Sequence, residues 1–406
     1  MSRPARQLAI LGGAPSFARA LHVGAPNIGD RALLHSLLDE ALDRRWLTND
    51  GALVQAFEQR AAELLGVRNF VALCNATVAL EILVRACPLE GEVIVPSFTF
   101  VATAHAPLWL GLTPVFCDID EQTHTLDPAR VEELVGPRTA AILGVHLWGR
   151  ACEVEALAAI AEKHKLRLLF DAAHAFGVAH NGTMIGSFGD AEVFSFHATK
   201  FFNTFEGGAV TTDDDGLAER VRLMRNFGFA GHDNVVSLGI NGKMNEACAA
   251  MGLASLESLD EFIAHNRRNY ETYHEELAGT AGLRLVEHDL EQRGNFQYVV
   301  VQLADAFTRE DRDAIVTALH AENVLARRYF YPGCHRMEPY RTMFPGVGER
   351  LPVTERVADR VIVLPTGTAV SAADARTVCG LLQACLQQVP QIRTRQAAGG
   401  DREQGR

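Results

Sequence analysis

Short apolar runs alternate with helical segments over much of this 406-residue chain. Six of these runs fall between about residues 71 and 196: VALC, EVIVP, TPVFCDI, TAAILGVHL, LRLLFD and EVFSF. Helical patterns such as EVEALAAIAEKH lie between several of them, as is typical of strands connected by crossover helices. The alternation predicts an α/β fold, in which helices cover both faces of a mostly parallel central sheet.

The pattern changes near residue 260. A long helical segment, ESLDEFIAHNRRNYETYHEELAG, leads to the strand NFQYVVVQL and to two further helices, which predicts a smaller C-terminal α+β domain. The last residues are polar and Gly-rich with no apolar period, and such segments are typically disordered. The predicted organisation is a lead-in over 1–24, a large domain over 25–260, a small domain over 261–389 and a disordered tail over 390–406.

The charge balance and the lack of long apolar runs argue against two classes of partner, nucleic acids and membranes. The chain carries 38 Lys and Arg against 50 Asp and Glu, a formal net charge of −12. Nucleic acids and anionic membranes are bound by a basic face, so we expect neither as a main partner. No apolar run approaches the roughly 18 residues of a membrane span. The interrupted stretch LAILGGAPSF does not fit a signal peptide.

The eight cysteines are scattered and include no C-x-x-C pair. This spacing predicts reduced thiols, no metal site and a cytoplasmic location. The sequence also lacks G-x-G-x-x-G after a strand, G-x-x-x-x-G-K-[ST], G-x-S-x-G and H-E-x-x-H. The sequence therefore does not indicate any of four common enzyme classes: dinucleotide-dependent dehydrogenases, P-loop kinases, serine hydrolases and zincins.

Three predicted strands end in residues that can do chemistry. LRLLFD ends in Asp171, EVFSF runs through Ser195 towards Lys200, and VALC precedes the helix start Asn75-Ala76-Thr77. Ligands in parallel sheets bind beyond the carboxyl ends of the strands, and helix N-termini bind phosphate. A carboxylate, a lysine and an anion site together suggest pyridoxal phosphate, with Lys200 as the Schiff-base lysine and Asp171 paired with the pyridinium nitrogen. Lys200 must then be neutral to attack a carbonyl, which requires a depressed pKa.

Further motifs carry a resemblance that spans roughly residues 24–385. They are WLTNDGALVQAFEQ, ATVALEI, VIVPSFTFVATAHA, PVFCDID, GVHLWGR, DAAHAFG, FSFHATKFFNTFEGGA, LMRNFGF, NGKMNEACAAMGL and RRYFYPGCH. In this order they resemble the DegT/DnrJ/EryC1/StrS family of sugar aminotransferases, which are fold-type-I pyridoxal-phosphate enzymes. The combination of DAAHA with the phrase from Phe194 to Gly208 is the most specific part of the match.

The resemblance implies a set of cofactor-binding residues. By position in the motifs, the set is Ala76, Thr77, Phe100, Asp171, Ala173, His174, Ser195, Lys200 and Asn241, with Lys200 and Asp171 also catalytic. Phe100 and Ala173 would lie against the two faces of the cofactor ring, and His174 would lie near its phenolic oxygen. Asn241 would reach the cofactor phosphate from the neighbouring subunit. That last role implies a homodimer with two shared active sites.

The resemblance also implies substrate-binding residues, which we expect to be Thr48, Asn49, His197, Lys243, Tyr331 and His335. The sequence departs from the common family pattern in three places. It has N-A-T where many members have S-G-T, and the segment FFNTFEGG is bulkier than usual. It has N-G-K where many have N-Y-R, so Lys243 keeps the positive charge but loses the bidentate geometry of arginine.

The implied activity is transfer of an amino group from L-glutamate or glutamine to a nucleotide-linked ketosugar, with pyridoxamine phosphate as the half-reaction form. Within that class we favour C4 of a dTDP-4-keto-6-deoxyhexose, as in antibiotic or surface-glycan amino-sugar pathways, and amination at C3 is the alternative. Sugar dehydratases of the family carry His at the lysine position, and Lys200 argues against that reaction. A non-catalytic binding protein on the same scaffold would be expected to have lost Lys200 or Asp171, and both are present.

Overall fold

The computed structural model describes the backbone of residues 7–403 and the side chains of residues 7–397. Fourteen strands occur within this range. They are β1 (Leu21–His22), β2 (Asn69–Leu73), β3 (Glu92–Pro96), β4 (Thr113–Cys117), β5 (Thr139–Val145), β6 (Arg167–Asp171), β7 (Ala179–His180), β8 (Thr183–Met184), β9 (Ala191–Ser195), β10 (Gly208–Thr212), β11 (Leu283–Leu285), β12 (Val299–Leu303), β13 (Val324–Leu325) and β14 (Val361–Leu364).

The same range contains fourteen α-helices and several short 3-10 turns. The helices are α1 (Arg31–Arg44), α2 (Ala52–Leu65), α3 (Ala76–Ala86), α4 (Ala102–Trp109), α5 (Pro128–Leu134), α6 (Val154–His164), α7 (Asp215–Arg225), α8 (Glu246–Glu257), α9 (Leu259–Leu277), α10 (Arg309–Ala321), α11 (Tyr340–Met343), α12 (Pro352–Arg360), α13 (Ala372–Gln387) and α14 (Val389–Glu403).

A seven-stranded sheet with the order β2-β10-β9-β6-β5-β3-β4 forms the centre of the molecule. Only β10 runs antiparallel to its neighbours in this sheet. The other pairs are parallel, as the alternating pattern predicted. All six strands that the sequence predicted for this sheet are present. The short strand GAVTT, which forms β10, was not predicted from the sequence.

Alternate residues of the central strands pack into two different hydrophobic cores. In β2, Val71 and Leu73 pack with residues of α3 and α7, whereas Phe70 and Ala72 pack with residues of α2 and α8. All residues of β2, β9 and β10 are buried. Because both faces are covered, strands such as β2 show no alternation of apolar and polar residues, unlike strands with one face in solvent.

A second, three-stranded antiparallel sheet has the order β11-β12-β14. Residues of α9, α10 and α13 form a core with it. The N-terminal segment belongs to the same core: Leu8 is 1% exposed, and β1 pairs with β13. Glu322 accepts the N–H groups of Ala9 and Ser16, which attaches the lead-in firmly. The boundaries at residues 24 and 260 stay predictions.

The prediction of a disordered tail is wrong for the part of the tail that the structure describes, where Val389–Glu403 form α14. Ile392 is fully buried in the core of the smaller sheet, and Arg393 pairs with Asp311 at 2.8 Å. Val389 and Ile392, three positions apart, supply one apolar helix face that the polar composition concealed. Residues 404–406 lie outside the described range. Within residues 7–403, no helix combines the length and apolar character needed to cross a membrane.

Candidate active site

Asp171 ends β6 at the carboxyl edge of the central sheet, and its side chain is 5% exposed. Thr103 Oγ1 in α4 donates a hydrogen bond to Asp171 Oδ2 at 2.8 Å, and the Ala173 N–H donates to Oδ1 at 3.0 Å. Burial raises the pKa of Asp171, while these donors and the positive charge of Lys200 oppose that rise. The carboxylate is therefore fixed in place by two donors at the sheet edge.

Lys200 lies in the loop that follows β9, the strand beside β6. Its Nζ donates to Tyr298 Oη at 3.4 Å. Burial lowers the pKa of Lys200 to about 8, although the carboxylate of Asp171 acts in the opposite direction. A substantial fraction of this amine is neutral near pH 8, as a nucleophile requires.

An anion cradle forms where α3 begins, beside β10. Asn75 Oδ1 caps the helix by accepting the Val78 N–H at 2.8 Å, and Ala76 and Thr77 form the first helical turn. Gly208 pairs with Ser195 in β9, and a Cβ built on Gly208 would come within 2.6 Å of the Ala76 nitrogen. Glycine is required for this close approach, which brings the Ser195 strand end next to the helix N-terminus.

These groups fit pyridoxal phosphate. The cradle supplies backbone N–H groups and hydroxyls for a phosphate, and the glycine at position 208 leaves room for the approach. Asp171 and Lys200 supply the carboxylate and the amine that the pyridine nitrogen and the aldehyde of the cofactor need. Because β6 and β9 are neighbouring parallel strands, Asp171 at the end of β6 and Lys200 after β9 lie at the same edge of the sheet.

His174 lies beside the same two residues. Its ring centroid is 4.5 Å from that of Tyr298, and its Nδ1 accepts the Trp148 N–H at 3.4 Å. Burial and the nearby charge of Lys200 hold the pKa of His174 well below its usual value. The imidazole is therefore neutral at physiological pH.

Ala173 contacts the Asp171 carboxylate through its N–H, and Phe100 is connected to it through Thr103. The carbonyl oxygen of Phe100 accepts the Thr103 N–H at 3.2 Å, so Phe100 lies one helical turn from the hydroxyl that contacts Asp171. Phe100 is 59% exposed, and its role against one face of the cofactor ring stays a prediction.

The predicted substrate residues of the large domain lie at the surface. His197 is exposed and its Nδ1 bonds to Thr199 Oγ1 at 2.8 Å. Thr48 is exposed in the loop between α1 and α2. Asn49 and Lys243 line one cleft of about 250 Å³, and the Lys243 Nζ lies 4.6 Å from the centre of the Phe227 ring.

Asn241 is exposed two residues before Lys243, where it forms a β-bridge with Asn226. Arg225 does not project into solvent, because it is buried between Glu58 and Asp50 and also donates to the Ala72 carbonyl at 2.8 Å.

Two predicted substrate residues are engaged elsewhere. The Tyr331 ring lies 4.7 Å from the Arg312 guanidinium and 5.5 Å from that of Arg328. His335 is 5% exposed, and both ring nitrogens are occupied, by Ser97 Oγ at 2.6 Å and by Glu355 Oε1 at 2.6 Å. Neither side chain has a described hydrogen bond or ring contact with Lys200 or Asp171. Their substrate roles stay predictions.

The sequence did not single out Thr103 and Tyr298. Thr103 follows Phe100 by one helical turn in SFTFVATAHA, and this spacing was the available signal. Tyr298 immediately precedes β12, far from Lys200 in the sequence, and only the packing of the two sheets brings it to the amine.

A family model, described as the DegT/DnrJ/EryC1/StrS aminotransferase family, matches residues 30–383. The chain belongs to this family. Membership implies dependence on pyridoxal phosphate and identifies the fold as the type-I aminotransferase fold. The predicted family, fold class and enzyme class are thereby confirmed.

Relatives and solved structures agree with this assignment. The dTDP-4-amino-4,6-dideoxy-D-glucose transaminase of Escherichia coli is 35% identical over 353 residues, covering 86% of this chain and 94% of that protein. The UDP-N-acetyl-3-dehydro-alpha-D-glucosamine 3-aminotransferase of Acidithiobacillus ferrooxidans is 37% identical over 317 residues, covering 77% and 82%. A crystal structure of DesI in the presence of its TDP-sugar product matches with a TM-score of 0.89 at 50% identity, covering 98% of this chain and 100% of that chain.

Proposed function

We propose that the protein transfers an amino group from L-glutamate, or glutamine, to C4 of a dTDP-linked 4-keto-6-deoxyhexose. The observation that carries the proposal is the placement of the Asp171 carboxylate and the Lys200 amine at one edge of the central sheet, with the pKa of Lys200 lowered by burial to about 8. A lysine that is partly neutral near pH 8 and lies by a buried carboxylate has the properties of a nucleophile and proton carrier.

Each residue of the site has a separate role in this proposal. Pyridoxal phosphate supplies, when bound, an electron sink for the pair left by a broken Cα–H bond. Lys200 would hold the cofactor covalently and, once released as a free amine, would take the proton from the donor's Cα and deliver it to C4′ of the cofactor. Asp171 would keep the pyridine nitrogen protonated, and the first turn of α3 with Ser195 would hold the phosphate. Phe100, Ala173 and the neutral His174 surround the ring.

The choice of sugar rests on the relatives. The Escherichia coli relative is named for a 4-amino-4,6-dideoxy dTDP-sugar, and the DesI structure was determined in the presence of its TDP-sugar product. The 50% identity to DesI favours a TDP-linked sugar, and the name of the Escherichia coli relative favours C4. Amination at C3 stays the alternative, because a relative of 37% identity is named as a 3-aminotransferase. Thr48, Asn49, His197, Lys243, Tyr331 and His335 remain the proposed substrate contacts.

A homodimer with shared sites is part of the proposal. Exposed apolar side chains are concentrated just before Asn241, and they are Phe227, Phe229, Val235, Val236, Leu238 and Ile240. Leu238 alone is 70% exposed, and apolar clusters of this kind typically mark protein interfaces. A second copy that covers this segment would bring Asn241 to the phosphate cradle of its partner.

We also place the protein in the cytoplasm, a location supported by its eight free cysteines.

A visible absorption spectrum of the purified protein tests the proposed function. With pyridoxal phosphate, the wild type should develop a yellow band that fades as L-glutamate converts the cofactor to pyridoxamine phosphate, and a suitable ketosugar should restore it. Lys200→Ala should lack the yellow band. Lys163→Ala, which removes an exposed lysine on α6, is the matched control and should keep it. A wild type that stays colourless with added cofactor would disprove the cofactor role, and a yellow protein that ignores both amino donors would disprove the transfer reaction.

A further inference from the structure

Tyr298 brings a hydroxyl from the smaller sheet to the amine of Lys200. Tyr298 directly precedes β12, its side chain is buried, and its Oη accepts a hydrogen bond from Lys200 Nζ at 3.4 Å. The same nitrogen lies 5.9 Å from the centre of the phenol ring, so the amine is closer to the hydroxyl than to the ring face. Within the described side chains, this hydroxyl has no hydrogen-bond partner other than Lys200.

The ring of Tyr298 is held on several sides, so its hydroxyl has a defined position. The ring centroid lies 4.5 Å from that of His174, 5.5 Å from that of Trp148 and 6.4 Å from that of Tyr329. Trp148 is itself fully buried and donates its backbone N–H to His174. Side chains locked by packing in this way hold a polar group in place at little entropic cost when the reaction occurs.

We propose that Tyr298 is a positioning residue for Lys200, whose hydroxyl oxygen accepts one N–H of the amine and directs its lone pair towards the reacting carbon atoms. The inference rests on the proposed function, because it is there that Lys200 carries a proton as a free amine. With its oxygen on an N–H of the amine, the hydroxyl leaves the lone pair of the neutral amine free to take a proton.

The groups that face Lys200 explain why an uncharged partner suits this role. The Asp171 carboxylate favours the ammonium form of Lys200, and His174 is neutral because burial lowers its pKa. Burial and the neighbouring Tyr329 raise the pKa of Tyr298, so its hydroxyl stays uncharged. A second carboxylate at this position would hold a proton on the lysine, whereas a phenol orients the amine and still lets the proton leave.

Tyr298→Phe tests the inference, because it keeps the ring that packs on His174 and removes only the hydroxyl. The first readout is the pH dependence of the rate at which the apoprotein reacts with pyridoxal phosphate, followed by its visible band. The ammonium form loses a charge-assisted hydrogen bond, which is stronger than that of the neutral amine, so the midpoint should move to lower pH.

The second readout is the single-turnover rate with L-glutamate deuterated at Cα. Loss of one hydrogen bond should lower this rate roughly 3- to 10-fold. The isotope effect should become larger. The glutamate concentration that gives half of the maximal rate should not change.

Tyr273→Phe is the matched control. It removes another buried tyrosine hydroxyl, which donates to the Pro365 carbonyl at 2.9 Å away from Lys200. It should reproduce any loss of stability but change neither the midpoint nor the isotope effect. Wild-type values of either readout in Tyr298→Phe would overturn the inference, because the same hydrogen bond must affect both. A wild-type apoprotein that develops no band would instead contradict the proposed function, so the two failures are distinct.

Discussion

Thr103 Oγ1 donates a hydrogen bond of 2.8 Å to Asp171 Oδ2, and it also lies 2.9 Å from Thr99 Oγ1. The hydrogen bond between Thr103 and Asp171 joins the first turn of α4 to the end of β6. The helix that follows β3 therefore fixes the carboxylate at the end of β6. The hydroxyl stabilises the ionised form of a carboxyl whose pKa burial raises. Thr103 therefore helps to keep Asp171 charged.

Thr103→Val should move the acidic limb of the pH–rate profile to higher pH. A hydrogen bond to the charged carboxylate lowers its pKa, so removing the hydroxyl raises the pKa of Asp171 and reduces the ionised fraction at each acidic pH. Thr99→Val is the control, since its hydroxyl contacts Thr103 but not Asp171. We would measure the initial rate of amino transfer between pH 5 and 9. An acidic limb at the wild-type position would rule out this role for Thr103.

Asp171→Asn should change the titration of Lys200 as well as the chemistry. The carboxylate raises the pKa of Lys200 against the effect of burial, so its removal should bring that pKa below about 8. The reaction of the apoprotein with pyridoxal phosphate would then reach half its maximal rate at lower pH. Proton transfer from L-glutamate should slow far more than cofactor affinity falls. Asp190→Asn, near the opposite end of β6 where Asp190 pairs with Arg167, should leave the midpoint unchanged.

Arg225→Met should destabilise the protein by about 3–5 kcal/mol, the usual result of leaving a buried charge without its partner. Arg225 is 6% exposed and pairs with Glu58, which is also largely buried and accepts the Ala72 N–H at 2.8 Å. Arg68→Met is the comparison, because Arg68 pairs with Asp215 at an exposed site and should cost less than about 1 kcal/mol. Urea unfolding at a fixed protein concentration would measure both, and equal losses would contradict the argument.

Much of the fold was predictable because both faces of the central sheet are covered, which makes most of its strands short apolar runs. β10 was missed because GAVTT contains two threonines and a glycine, and its strand character comes from pairing with β2 and β9 rather than from apolar content. Sequence also placed Asp171 and Lys200 together, since strand ends of a parallel sheet meet at one edge. Tyr298 could not be placed in this way, because its contact with Lys200 depends on how the two sheets pack.

The location of Asn241 gives the sharpest test of shared sites. Asn241 is exposed beside an apolar segment that includes Leu238, so our proposal has it complete the phosphate cradle of a second copy. Asn241→Asp should place a carboxylate against the cofactor phosphate and inactivate the partner's site, whereas Lys200→Ala inactivates its own. Each variant should be inactive alone. After mixing under conditions that exchange subunits, mixed dimers carry one intact site.

The mixture should then recover up to about one quarter of wild-type activity, because half of the dimers are mixed and each has one working site of two. A mixture of Lys200→Ala with Lys200→Ala/Asn241→Asp is the control, and it should stay inactive because no subunit supplies the lysine. If Asn241 instead acts within its own subunit, no mixture of the two single variants can contain an intact site. Activity that stays at the background of the single variants after proven subunit exchange would therefore contradict the shared arrangement.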